Sequence, residues 1–399
     1  MNKAKVVEYV KDRFREYYLK NPGSVTAPSE MEKREFGFLL FVEKQMIRHK
    51  GFKSIEDLRS FIGEVVPSDV YYSSAYYMNP EEDMDRKGWL GADLVFDIDA
   101  DHLNTPCKSV HDKWTCGNCG AMGVGTPPER CFKCGATSLR EESWICELCL
   151  NQAKEETNKL LEMLTDDLGF SGREIQIYFT GHRGYHVHVR NERIRTLRGD
   201  ERKEIVDYVA GIGLNPTLLF HGSPVIDELG GWRPRLEREL TRLLLYAEEE
   251  ELKRYGLKER NVRELQDFRR KIKGDLLKHS TIRLVESRFK SILEVAVAGC
   301  SAHIDTVVTT DVHRLVRLTG TLNGKTGLKV VEVKEIDRFD PLREAISLSG
   351  GEETVYIADS PKFRLGDMEY GPYNQEVKTL PVEAALLLIC KGKAYPTGV

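Results

Sequence analysis

Two aspartates, Asp97 and Asp99, stand in the segment DLVFDIDAD, where Leu94, Phe96 and Ile98 alternate with Asp93, Asp97, Asp99 and Asp101. A spacing of i, i+2 on a strand points both carboxylates to one face. Like charges this close repel, and a cation between them removes the penalty. Mg²⁺ and similar hard ions take a few carboxylates plus substrate phosphates, so the pair suits two-metal phosphoryl transfer; a solvated edge-strand face is the plain alternative. A third carboxylate would complete such a site, and HIDTVVTTDVHRLVRL offers Asp305 at a strand end and Asp311 at a helix start. Asp311 is accounted for by the helix dipole, which leaves Asp305 as the preferred ligand.

Cationic partners for a phosphate lie in two other segments. TGHRGYHVHV presents Arg183 and His186 beside glycines that let backbone approach a phosphate; Arg183 can pair with its oxygens bidentately and His186 can donate to one. The ordinary alternative is a surface turn with cross-strand polar residues. GTLNGKTG resembles a phosphate loop but has three residues, not four, between Gly320 and Gly324, and the preceding HRLVRL reads as helix rather than strand. An ATPase loop is therefore not expected, although Arg317 and Lys325 remain suitable triphosphate-binding cations.

A third chemistry is carried by thiols. Seven of the nine cysteines fall between Cys107 and Cys149. Cys116 and Cys119, then Cys131 and Cys134 after eleven residues, form a CxxC…CxxC pattern that predicts a tetrahedral four-thiolate zinc site, with an iron–sulfur cluster as the other occupant. Cys107, His111, Cys146 and Cys149 are left as a second complete ligand set; the alternative is a free thiol and an exposed loop histidine.

These groups must be positioned by a mixed scaffold. EFGFLLF at 35–41 is a buried-strand run, Ser54 to Ile62 a short helix, and DLVFDIDAD a half-buried strand. The cysteine-rich stretch lacks periodicity and reads as an insertion. A helix follows from about Asn151, then the hairpin EIQIYF/YHVHVR joined by TGHRG. Long charged helical stretches with an apolar stripe at Leu236, Leu240, Leu243 and Leu244 precede a return of strand character at EVAVAG (294–299), HIDTVVTTD and TGLKVVEV. With 41% hydrophobic and 31% charged residues the chain reads as an ordinary globular protein, and a net charge of −4 excludes an indiscriminate polycation. The amphipathic start and the lack of an ~18-residue apolar run predict a cytoplasmic protein with no membrane contact.

In order, REFGF (34–38), DLVFDIDADH (93–102), TGHRGYH (180–186), HIDTVVTTDVHRLVRLTGTLNGKTGL (303–328) and LPVEAALLLICKGKA (380–394) resemble the catalytic small subunit of archaeal and eukaryotic DNA primases. The resemblance implies an α/β core of two small mixed sheets with an inserted zinc module and a helical subdomain. The expected divisions are core at 1–106, 151–193 and 295–399, zinc insertion at 107–150, and helical subdomain at 194–294. It also implies that Asp97, Asp99 and Asp305 hold catalytic Mg²⁺ or Mn²⁺. Thr180, Arg183, His186, Arg317 and Lys325 would hold the incoming nucleoside triphosphate, with Glu35 and Arg48 in matching positions nearby. His182 stands where relatives often carry a second arginine, and Asn323 where many carry a histidine. The Cys, His, Cys, Cys order of the second thiol set matches a knuckle in archaeal primases, so two structural zinc ions are expected. The implied reaction is de novo primer synthesis on single-stranded DNA for replication, in a heterodimer with a large subunit carrying an iron–sulfur domain. A repair-type polymerase of the same superfamily would share the aspartates but normally lack the zinc insertion; a non-catalytic zinc-ribbon nucleic-acid-binding protein would leave them unexplained.

Overall fold

The computed structural model describes residues 3–42, 45–103, 105–220, 231–254, 257–271 and 290–398. The chain divides into two compact units, one of Met1–Glu155, Arg173–Arg202 and Asp305–Val399, the other of Glu156–Gly172 and Lys203–Ile304.

The first unit is built on two four-stranded sheets. One has the order Leu315–Arg317, Asp69–Ser73, Phe36–Leu39, Met46–Lys50; the other runs Val331–Val333, Ile175–Phe179, Gly184–Val189, Leu94–Asp99. The expected pair of small sheets is present, but every pairing in them is antiparallel rather than mixed. Alternation does the local work: Leu94, Phe96 and Ile98 are buried at 1% exposure or less, while Asp97 and Asp99 point the other way and stay partly exposed. Ser54 caps the helix Ile55–Val65 by accepting from the Asp57 amide, and Leu58 and Ile62 from that helix pack into the core. A three-stranded sheet, Met122–Val124, Lys113–Cys116 and Leu139–Glu142, frames the cysteine insertion. Near the C-terminus Glu352–Ser360 pairs with Tyr373–Pro381 and Ala394–Pro396, with the buried helix Val382–Cys390 between the last two strands in sequence.

The second unit is helical. Leu236, Leu240, Leu243 and Leu244 on the helix Trp232–Leu245 are all at 1% exposure or less, the expected stripe. Parts of the expected helical stretch, at 221–230, 255–256 and 272–289, lie outside the described residues.

Three local expectations are corrected. EVAVAG is not a strand: it lies in the helix Lys290–Cys300, whose buried Ile292, Leu293 and Ala296 follow helical spacing. HRLVRL is not helical but contains the strand Leu315–Arg317, paired with Asp69–Ser73. Asp305 and Asp311 exchange their expected positions around a five-residue helix, Thr306–Thr310: Asp305 is its N-cap, accepting from the Val307 amide, and Asp311 follows its C-terminal end. Among the described residues no helix is long and apolar enough to cross a membrane.

Candidate active site

The hairpin Ile175–Phe179/Gly184–Val189 lays its second strand against the aspartate strand in a register that pairs His186 with Asp97 and Gly184 with Asp99. That close approach requires glycine, because a Cβ on Gly184 would lie 2.2 Å from the Ile98 carbonyl oxygen. Asp97, Asp99, Thr180, His182 and His186 then face Tyr71, Val308, Arg314, Arg317, Asn323 and Lys325 across a cavity of about 210 Å³. Asp305 does not line the cavity; its amide donates to the Asp97 carbonyl at 2.8 Å and its carboxylate accepts from the Val307 amide, so it stands beside the pair rather than between its carboxylates.

The electrostatics match a cation site. Burial, then the charges of Asp99 and Asp305, push the Asp97 carboxyl up to about 7. His186 is pushed down to about 3 by burial and by Arg317 and Arg314, so its imidazole is neutral, with Nε2 3.5 Å from Asp97 Oδ1. A divalent ion between these carboxylates relieves the repulsion that raises Asp97, and that is the sense in which this donor set fits a hard cation. Asp99, Asp101 and His182 also converge within 4.8 Å, but Asp101 is ion-paired to Arg183 and His182 Nε2 is taken by Lys391.

The remaining residues singled out from the sequence divide into those that line the cavity and those that do not. Arg317 lines it and is ion-paired to Asp69, which also accepts from the Gly324 amide and so ties the cation to the Gly324–Lys325 turn. Asn323, fully buried, donates to the Thr180 carbonyl at 3.0 Å and accepts from the Lys325 amide at 2.9 Å, locking the two loops together. Lys325 is exposed at the cavity edge. The loop is no phosphate loop even though a strand precedes it: no helix begins after Lys325, and Leu322 bridges back to Lys329.

Arg183, Glu35 and Arg48 are not brought to the cavity. The Arg183 side chain is fully buried, its guanidinium committed to Asp101, to Asp112 and to the Trp144 carbonyl at 2.7 Å. Glu35 is fully buried between Arg48 at 2.9 Å and Lys87 at 3.2 Å. Sequence reasoning missed Arg314, Asp69, Asp112 and Lys391. Arg314 could have been found as the arginine three residues before Arg317; the others carry no local signal.

Both thiol sets are assembled. Cys116, Cys119, Cys131 and Cys134 form one group, and Cys107, His111, Cys146 and Cys149 the other, each with its ligand atoms within 4.8 Å of one another. In the ribbon, Sγ–Sγ separations of 3.6 Å occur for Cys116–Cys134 and Cys119–Cys131. In the second group Cys107–Cys149 is 3.3 Å and His111 Nε2 to Cys146 Sγ is 3.2 Å. A metal–sulfur bond of ~2.3 Å gives a tetrahedron with edges of about 3.8 Å, close to these spacings, whereas a disulfide needs ~2.05 Å. His111 Nδ1 lies 2.7 Å from Asp112 Oδ1, which leaves Nε2 for a metal in the manner of a carboxylate–histidine–metal triad.

Comparison with known proteins adds independent findings. Residues 127–335 match the family model described as DNA primase small subunit. The chain is similar to the DNA primase small subunit PriS of Archaeoglobus fulgidus, 36% identical over 390 residues covering 97% of each chain. It is likewise similar to PriS of Cenarchaeum symbiosum, 33% identical with 96% of each chain covered, and to that of Pyrobaculum islandicum, 35% identical over 77% of this chain and 72% of the relative.

Proposed function

Because the chain belongs to the DNA primase small-subunit family, we propose that its aspartate cavity joins nucleoside triphosphates into short primers on single-stranded DNA. The observation that carries this reading is the convergence of Asp97 and Asp99 with Arg314, Arg317 and Lys325 around one cavity. Carboxylates and cations around one cavity are what a metal-bound triphosphate requires.

Asp97, Asp99 and Asp305 would hold Mg²⁺ or Mn²⁺, which when bound lowers the pKa of the attacking hydroxyl and neutralises the departing pyrophosphate. Arg317, fixed by Asp69, and Lys325 contact triphosphate oxygens, and Arg314 adds a third cation from the same strand edge. Neutral His186 donates a hydrogen bond without bringing a charge that would compete for the carboxylates. Thr180, His182 and Asn323 shape the wall, Asn323 by holding the hairpin to the lysine turn. The family's designation as a small subunit implies a larger partner; an iron–sulfur-bearing one, acting with this chain in the cytoplasm, completes the proposal.

Unprimed single-stranded DNA, nucleoside triphosphates and Mg²⁺ or Mn²⁺ should yield short oligomers, with this chain alone or with its large subunit. A strict need for a primer would replace this reading with a repair-type polymerase, and no synthesis under any condition with a non-catalytic module. In the same assay Lys325→Ala should raise the KM for nucleotide about ten- to a hundredfold, the loss of one charge-assisted hydrogen bond, and leave DNA affinity unchanged. The opposite pattern would remove Lys325 from the triphosphate site.

Zinc is the metal that suits two closed sets of thiolate and imidazole ligands, and neither set has an open position for chemistry. Elemental analysis should give two zinc and no iron per chain. Cys116→Ser should lose one zinc and His111→Ala the other, independently; a wild-type value of one, unaffected by His111→Ala, would leave only the ribbon.

A further inference from the structure

Next to the catalytic cavity lies a second one, of about 220 Å³, where Lys113, Lys325, Lys391 and Lys393 share the lining with Glu141, Glu142 and Asp359. The two cavities share Lys325. A residue of each is also joined by a hydrogen bond of 2.8 Å that Lys391 Nζ donates to Nε2 of His182. His182 lines the catalytic cavity and Lys391 the second, so this contact links the two linings.

The four lysines are not equivalent. Lys113 is ion-paired to Asp359, and Lys393 to Glu142 and Asp359. Lys325 and Lys391 have no carboxylate partner among the described residues. Lys391 caps the C-terminal end of the helix Val382–Cys390 and is held between two neutral acceptors, the Ser143 carbonyl at 3.1 Å and His182. An ammonium has three N–H donors, so two acceptors leave one unused. Burial, with Arg183 and Lys325 nearby, holds its pKa down to about 7, as for a cation lacking an anion.

We propose that Lys391, with Lys325, binds the terminal phosphates of the incoming nucleotide and the pyrophosphate released from it, at the end of the second cavity that adjoins the first. This rests on the primase reading of the aspartate cavity. The geometry supplies what the reaction needs at its far end. Bond formation at the α-phosphate, beside Asp97 and Asp99, sets free a highly charged pyrophosphate, which Lys325 and Lys391, without carboxylate partners among the described residues, can hold beside the aspartate cavity. Lys391 is thus a binding residue for the known reaction, contributed by the C-terminal helix rather than by the two core sheets.

The test measures affinities of nucleoside mono-, di- and triphosphate and of inorganic pyrophosphate, by calorimetry with Mg²⁺, for the full-length protein and for Lys391→Met and Lys391→Arg. Lys391→Met should weaken triphosphate and pyrophosphate about ten- to a hundredfold while leaving monophosphate unchanged, and Lys391→Arg should restore most of the loss. Triphosphate and pyrophosphate affinities within about twofold of wild type in Lys391→Met, well under one hydrogen bond's contribution, would overturn the assignment. So would an equal loss for all the nucleotides in both variants, because that is the mark of a scaffold role through Ser143 and His182. A wild-type protein that does not prefer triphosphate to monophosphate would instead defeat the primase reading itself.

Discussion

On the proposed assignment, Asp97→Ala, Asp99→Ala and Asp305→Ala should each reduce primer synthesis on the order of a thousandfold or more, since each would remove a proposed metal ligand worth several kcal/mol of transition-state stabilisation. The folded state should survive, for reasons that differ among the three. The Asp97 carboxyl is raised from 3.8 to about 7 by burial and by Asp99 and Asp305. A folded-state pKa above the unfolded one means that the native state favours the protonated carboxyl. The cost of ionising it is absent below about pH 4, grows through the interval, and is complete above about pH 7. Asp97→Asn should therefore raise Tm in metal-free buffer above pH 7, and Mg²⁺ should raise the Tm of the wild type but not of the variant. Asp305→Ala differs, because Asp305 also caps the helix Thr306–Thr310 and its removal should cost about 1 kcal/mol. Asp311→Ala is the control: among the described residues its carboxylate accepts a local bond from the His313 amide, 2.9 Å away, and it does not line the cavity, so activity should remain near wild type. Near-normal synthesis by any of the three alanine variants would take that residue out of the site.

The parts of this site that could be read from sequence are those governed by short-range periodicity. The alternation in DLVFDIDAD places Asp97 and Asp99 on one face, and TGHRG marks the hairpin that carries His186, although its pairing with Asp97 comes only with the fold. Cysteine spacing alone grouped the ribbon ligands that the structure brings within 4.8 Å. What could not be read depends on residues far apart in the chain. TVVTT is rich in β-branched residues and reads as strand, yet it forms one helical turn because Asp305 caps it and its backbone is tied to the aspartate strand. HRLVRL has the apolar spacing of a helix, but the free edge of Asp69–Ser73 recruits it as a strand. That pairing is what aims Arg314 and Arg317 into the cavity, so a wrong assignment there concealed Arg314. EVAVAG alternates like a strand, yet Ile292, Leu293 and Ala296 bury one helical stripe within its own unit. Asp69 and Lys391 reach the cavity region from 248 and 209 residues away from the partners they hold, Arg317 and His182, separations at which no local pattern operates.

Arg183→Ala should destabilise the protein by about 3–5 kcal/mol and loosen the metal in the Cys107, His111, Cys146, Cys149 set, with little direct effect on nucleotide KM. Its position in the TGHRG turn suggests a phosphate ligand, but the structure gives its guanidinium other partners. Nη1 lies 3.2 Å from Asp112 Oδ2 and 2.7 Å from the Trp144 carbonyl, and Nη2 pairs with Asp101. Asp112, itself fully buried, also accepts from the Trp144 amide at 2.8 Å and contacts His111 Nδ1 at 2.7 Å. Arg183 is thus the counter-ion that allows a buried carboxylate to orient a metal-binding imidazole. Removing it leaves Asp112 without its cation in a buried site, the costly half of breaking a buried pair. Loss of such an outer partner typically weakens metal affinity about ten- to a hundredfold. Competition with a chelator should therefore extract one zinc from Arg183→Ala more readily than from wild type, while the Cys116, Cys119, Cys131, Cys134 ribbon holds its own. Arg183→Lys should rescue only part of the stability, because an ammonium cannot span Asp101, Asp112 and the Trp144 carbonyl as a planar fork does. If Arg183→Ala instead kept its Tm and both zinc ions while nucleotide KM rose as far as in Lys325→Ala, Arg183 would be a phosphate ligand after all. The hairpin would then have to open towards the cavity during the reaction.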